Sequence, residues 1–375
     1  MRAVAERLER IHSSQQLKAL GTLALPGEPA AGEPGAAPAP AVSTPAPQEE
    51  CPSFLEAAVD AASPREAEEM AAEELEEEEA AAAAPLDPTL VGTSLQQWRA
   101  ANPQATGVLA CGATGLEDAH VAQLGPHFQR LSLAGQWYAP LTSAALAPLT
   151  GLRRLSLAAC NQPALCDAAL APLVHLQELC LAGCDQATLT DAALRPLVSL
   201  RELSLYACTQ LTSAALAPFA GTGSPLRVLC IARCPGMANA AIAQLTGLEA
   251  LDMRECQGIT AEAFAQLGQL RALNMGGAVN RGLGDATFAP LRSLHTLRMA
   301  GCTQPTLTSA ALHFLTGLTF LDMTGCKQRA MDGPGAFPAG RAFPNLHTLV
   351  LRECNTDIIV AATARGLKHC IVLND

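Results

Sequence analysis

One phrase recurs through this chain, and it decides what the chain can fold into. From Leu176 the sequence reads LQELCLAGCDQATLTDAALRPLVSL, where Leu176, Leu179, Leu181 and Cys184 spell Leu-x-x-Leu-x-Leu-x-x-Cys and Leu200 begins the phrase again. Its ninth position recurs at Cys111, Gln136, Cys160, Cys184, Cys208, Cys234, Cys256, Ala278, Cys302, Cys326 and Cys354, at spacings of 25, 24, 24, 24, 26, 22, 22, 24, 24 and 28 residues. The apolar pairs ahead of it keep step, as in Leu131/Leu133, Leu155/Leu157, Leu203/Leu205, Leu251/Met253, Leu297/Met299, Leu321/Met323 and Leu349/Leu351. A unit of roughly 20–30 residues cannot bury such a row alone, so neighbours must stack into a solenoid. About eleven turns are expected, with a closing half-repeat over 367–375.

Within each turn the alternation is that of a strand. The fourth and sixth positions point inward and the fifth points to the open face. The second half, as in Leu141-Thr142-Ser143-Ala144-Ala145-Leu146, opens with a Thr-Ser or Thr-Asp helix start and carries spaced leucines. Proline at 148, 172, 196 and 218 ends or kinks that helix early. Each turn is therefore strand, loop, short helix and return. The predicted class is α/β: a horseshoe with a parallel sheet on the concave side and short helices on the convex side.

LxxLxLxxC followed by LTDAAL resembles the cysteine-containing leucine-rich-repeat family, best known from F-box/LRR substrate receptors. The resemblance covers residues 107–375. It implies a leucine-rich-repeat solenoid in which the ninth-position cysteines (Cys111, Cys160, Cys184, Cys208, Cys234, Cys256, Cys302, Cys326 and Cys354) form a buried structural ladder. It also implies a substrate-recognition or adaptor subunit of a cullin-type ubiquitin ligase, the alternative being a cytoskeletal, axonemal or regulatory adaptor unrelated to ubiquitin. The sequence departs from the family's pattern at Gln136 and Ala278. Gly276-Gly277 with Gly282 and Gly284 predicts an irregularity near the eighth strand, and 327–343, rich in Gly and Pro, predicts a surface loop. The nearest F-box-like start, Leu23-Ala24-Leu25-Pro26, runs into Gly-Pro-Ala linker where an apolar helical segment would stand.

Charge divides the chain in two. Residues 1–105 hold 18 Asp and Glu against 6 Lys and Arg, whereas the remainder holds 17 against 18. Neither part has the basic surface that nucleic acid requires. Residues 1–92 read as a largely disordered, acidic Ala/Pro/Glu-rich segment with short helices near its start and over 63–79. Residues 93–106, with Leu95 and Trp98, read as a cap over the first turn. No run of about 18 or more apolar residues occurs, so no membrane span is expected. Arg2, Arg7 and Arg10 hint at a transit peptide, but Glu6 and Glu9 oppose it, and a reducing, cytoplasmic setting is the expectation.

The chemistry points away from catalysis. Cys180/Cys184 and Cys230/Cys234 form CxxxC pairs, but each joins an outward fifth position to an inward ninth, so their thiols do not converge on a metal. Cys180 and Cys230 should lie roughly 10 Å apart on the open face, too far for a disulfide, as exposed thiols. The eight histidines are scattered, with His295 and His347 at the second position of different turns. No phosphate-loop or dinucleotide fingerprint appears, and no cofactor is expected. A protein partner on the concave face is the expectation. Outward positions over the first four strands are small (Ser132, Ala134, Gly135, Ser156, Ala158, Ala159, Cys180, Ala182, Gly183). Downstream they become Tyr206, Arg233, Asp252, Arg254, Glu255, Arg298, Phe320, Asp322 and Arg352, of which Arg and Tyr are hot-spot types.

Overall fold

The computed structural model describes residues 95–110, 116–135, 141–277, 282–326, 345–354 and 371–373. The acidic segment over 1–92, Cys111, Gln136, Ala278 and the 327–343 insert lie outside the described residues. Twelve parallel strands lie side by side in sequence order. They are β1 (Gly107–Leu109), β2 (Arg130–Ser132), β3 (Arg154–Ser156), β4 (Glu178–Cys180), β5 (Glu202–Ser204), β6 (Val228–Cys230), β7 (Ala250–Asp252), β8 (Ala272–Asn274), β9 (Thr296–Arg298), β10 (Phe320–Asp322), β11 (Thr348–Val350) and β12 (Ile371–Leu373). The twelfth falls where the closing half-repeat was read, and it pairs with β11. Register never slips: Leu131, Leu155, Leu179, Leu203, Leu229, Leu251, Leu273, Leu297, Leu321 and Leu349 align strand to strand. A slip of one residue would turn every leucine to solvent.

Short helices return the chain behind the sheet. Most are single 3-10 turns, and Pro218 sits inside the one spanning Ser213–Phe219. Thr142, Thr190, Thr212 and Thr308 are their N-caps, each hydroxyl accepting the amide two residues on. The same threonines also clasp the preceding turn. Thr190 donates its amide (2.7 Å) and hydroxyl (2.6 Å) to the two oxygens of Asp167. Thr212 does so to Asp191 and Thr308 to Asp285. Leucines from strand and helix meet in one continuous core. Helix α1 (Leu95–Ala101) covers its first turn, with Leu95 and Trp98 buried in the same core as Val108 and Phe128.

The expected irregularity at the eighth strand is absent from the described residues. β8 pairs in regular register with β7 and β9. Gly277 (φ +64°) occupies a slot that every neighbouring turn fills with the same left-handed backbone. Gly277 answers that local requirement, and residues 278–281, between it and Gly282, lie outside the described residues.

Candidate functional site

The site is built on the rim where strands end, and the backbone there sets what each side chain can do. After each strand, the amide at position six bonds to the next turn's position-five carbonyl, and the amide at position eight bonds to its position-seven carbonyl, as in Leu181 to Ser204 (2.9 Å) and Gly183 to Tyr206 (2.7 Å). Position eight reaches its partner only in the left-handed region. Gly135, Gly183, Gly277, Gly301 and Gly325 adopt it, and so do Ala159, Ala207, Arg233, Glu255 and Glu353, with φ of 56 to 59°. The chain then folds inward, and the ninth-position amide returns to the sixth-position carbonyl of its own turn.

That carbonyl has a second lone pair, and the next turn's cysteine fills it. Cys160 Sγ donates to Leu133 O (2.8 Å), Cys184 to Leu157 (2.9 Å), Cys208 to Leu181 (3.0 Å) and Cys234 to Leu205 (2.8 Å). Cys256, Cys302, Cys326 and Cys354 repeat the contact with Ile231, Met275, Met299 and Met323. Donation requires a protonated thiol. Burial pushes Cys184 and Cys234 up to about 12 and Cys256 to about 11, and it also raises Cys208 and Cys326. Two residues after the cysteine, Gln186 (buried) and Gln210 (half-buried) donate to the carbonyls of Cys160 and Cys184, a second row that the phrase does not announce.

The amide at position seven points away from the sheet ladder, and an Asp or Asn at position five can take it. Asp252 accepts from Arg254 N (3.1 Å), Asn274 from Gly276 N (3.2 Å) and Asp322 from Thr324 N (2.9 Å). This changes the reading of two candidates. Asp252 is 2% exposed, with Arg254 Nε laid across both its oxygens at 3.2 and 3.0 Å. Its burial raises its pKa, against the opposing pull of Arg254. Asp322 also receives the Thr324 hydroxyl. Both carboxylates brace their own turns, Asp252 buried and Asp322 half-buried. Cys230, expected as an exposed thiol, is likewise buried, and it hydrogen-bonds to Asp252 on the next strand.

The remaining candidates form two groups. On turns five to seven, the Arg233 guanidinium stacks 5.6 Å from the Tyr206 ring centroid and pairs with Glu255 at 2.7 Å. Arg254 runs beside them over Gly276, where a Cβ would come within 3.7 Å of its Cγ. On turns nine and ten, Arg298 stacks 5.3 Å from the Phe320 ring. Arg352 stands exposed on the eleventh turn.

Upstream, a groove of about 440 Å³ lies over β1 to β6, and Ser132, Ser156 and Cys180 of the small outward residues line it. Leu109, Ser132, Ser156, Cys180 and Ser204 are on its floor, and Arg130, Arg154, Glu178 and Glu202 form one wall. The wall is the third position of the phrase, and Arg154 pairs with Glu178 across it at 2.8 Å. Among the described residues no cluster of side chains could hold a metal ion, and no helix is long and apolar enough to cross a membrane.

No protein-family model matches the chain, and no curated protein matches it in sequence. Among solved structures it is similar to a TLR13–ssRNA13 complex, with TM-score 0.52 and 20% identity over 69% of this chain and 38% of that one. It is similar to an internalin, inlF, from Listeria monocytogenes (TM-score 0.50, 20% identity, 68% of this chain and 70% of that one). A third is the mouse RP105/MD-1 complex (TM-score 0.51, 18% identity, 71% and 46%). The chain spans less than half the length of the first and third of these. The likeness is one of fold: with its unbroken parallel sheet, the chain is a leucine-rich-repeat solenoid.

Proposed function

We propose that this chain is a non-enzymatic protein-recognition scaffold whose partner docks on the sheet face across turns five to ten. The observation that carries the reading is the pre-positioning of its large side chains. Arg233 is held on Tyr206 and by Glu255, Arg254 by Asp252, and Arg298 on Phe320. Ordering a long side chain at an interface costs about 0.5–1.5 kcal/mol, and here part of that cost is met before the partner arrives. Arg and Tyr held in this way are the residue types that dominate interface energetics.

The specific reading is an adaptor or substrate-recognition subunit in ubiquitin-dependent degradation of the cullin and F-box type. It is supported by the ninth-position cysteine ladder, the feature the chain shares with F-box/LRR receptors. The experiment is affinity capture with quantitative mass spectrometry, comparing the native chain with a Tyr206→Ala, Arg254→Ala, Arg298→Ala triple variant. The expected result is loss of captured protein with an unchanged melting temperature, and a cullin with its adaptor among the proteins lost. Capture that survives the triple substitution overturns the site. Partners of a cytoskeletal or regulatory kind, with no cullin, would assign the scaffold to an adaptor role outside degradation.

A further inference from the structure

The opposite rim of the sheet carries a feature that the partner site does not use. The second position of the phrase forms its own column, stacked by backbone bonds from Arg153 to Gln177, Arg201, Arg227, Glu249, Arg271 and His295. Four of its seven residues are arginine. Arg130 and Arg154 stand beside it at position three, with Glu178 and Glu202. Six arginines against three glutamates therefore line the leading edge of β2 to β9, while residues 106–375 as a whole are almost neutral. Glu178 pairs with Arg154 and Glu249 with Arg227. Arg153 and Arg201 are exposed.

The complementary charge lies in the same chain. Residues 51–94 hold twelve Asp and Glu and one Arg, and the sequence Glu73-Glu74-Leu75-Glu76-Glu77-Glu78-Glu79 concentrates six of those acids. We infer that this run docks on the arginine row of its own solenoid. Fifteen residues lie between Glu79 and Leu95, a tether of up to about 55 Å, whereas the row from β3 to β8 spans about 24 Å at the spacing of neighbouring strands. Seven residues drawn out cover about the same 24 Å. Tethering makes the encounter intramolecular, so weak, solvent-exposed ion pairs suffice. An acidic partner that needs the same row then competes with the arm.

The test uses the full chain and a fluorescent peptide of residues 66–79 as the probe. At about 0.05 M salt the peptide binds a chain whose six run glutamates are changed to Gln about tenfold more tightly than it binds the native chain, whose own arm occupies the row. Binding disappears at about 0.5 M salt, where screening is short-ranged. Adding Arg130→Gln, Arg153→Gln and Arg201→Gln weakens it about tenfold, with an unchanged melting temperature showing that the fold is kept. Equal affinity for native and Gln-arm chains, no binding to either, or indifference to the arginine changes overturns the inference. So do salt-sensitive dimers of the native chain by light scattering, which would place the arm on a second copy. Loss of partner capture in the Tyr206/Arg254/Arg298 variant bears on a different rim, so the two readings fail separately.

Discussion

A single carbonyl explains why cysteine recurs. The sixth-position oxygen receives its own turn's ninth-position amide and the following turn's thiol, as Leu181 O does from Cys184 N (2.9 Å) and Cys208 Sγ (3.0 Å). A thiol fits because it is a compact apolar group with one weak proton to give. The ladder thiols are therefore held protonated, whereas Cys166, at the surface, has its pKa lowered by the Ser143 hydroxyl. Thiolate is the reactive species, so iodoacetamide at about pH 8 should alkylate Cys166 at least about a hundredfold faster than Cys184, Cys208 or Cys234. Peptide mass spectrometry over a time course reads the rates, and equal rates would contradict the ladder. Asp252 gives a second residue-scale expectation. Its folded pKa is raised, so between about 3.9 and that raised value the native state holds the proton more than the unfolded chain does. Stability from this group is present at low pH and lost as pH rises through the window. Asp252→Asn keeps an acceptor for the Arg254 amide and removes the titration. Urea unfolding should show the variant no less stable than the native chain at about pH 7, with the fall across the window abolished. A variant much weaker at neutral pH would mean that the Arg254 pairing outweighs the burial cost.

At the scale of the turn, the left-handed position is the element that can be tuned. A side chain there costs about 1–2 kcal/mol of backbone strain, while glycine costs about 0.5–1 kcal/mol of chain entropy. Ala207→Gly should then stabilise by about 0.5–1 kcal/mol. Gly325→Ala should destabilise by about 1 kcal/mol, from backbone strain alone, since its new Cβ would meet nothing closer than 3.8 Å. Denaturant midpoints measure both, and the same sign for the two would show that φ is not the controlling quantity. This slot also marks where the sequence stops being legible. The solenoid could be read because every turn buries the same row, so periodicity and burial report one fact, from Leu131 through Leu349. The left-handed slot repeats just as strictly, yet Ala, Arg and Glu fill it as often as Gly does. A backbone requirement spread over four residue types leaves no letter to find. Asp252 and Asp322 have a bracing role that stays hidden in the sequence for a related reason. An acid on an outward position looks like surface charge until the orphan amide two residues on is located. The groove over β1 to β6 escaped because small residues register as empty surface one at a time, and only the stacked strands turn them into a floor walled by Arg130 and Glu202.

Across the whole molecule, each strand touches only its two neighbours, so stability propagates along one dimension. The two rim groups draw on different parts of that stack: Tyr206, Arg233 and Arg254 on turns five to seven, Arg298 and Phe320 on turns nine and ten. Leu321, fully buried at the centre of β10, tests whether the parts can be separated. Truncation to Ala removes buried contacts worth about 2–5 kcal/mol. Opening β10 to β12 from the end breaks a single strand interface, whereas opening an interior turn breaks two. Hydrogen exchange on Leu321→Ala should therefore quicken at the amides of Met323 and Gly325, which bond to Val350 and Arg352, and stay unchanged at Leu181 and Gly183, which bond to Ser204 and Tyr206. Partner capture should weaken only by the share that Arg298 and Phe320 contribute, leaving the Tyr206 and Arg254 share intact. Uniform acceleration across all four amides would instead show that the array opens as one cooperative unit, and that a partner held at either group stabilises the whole.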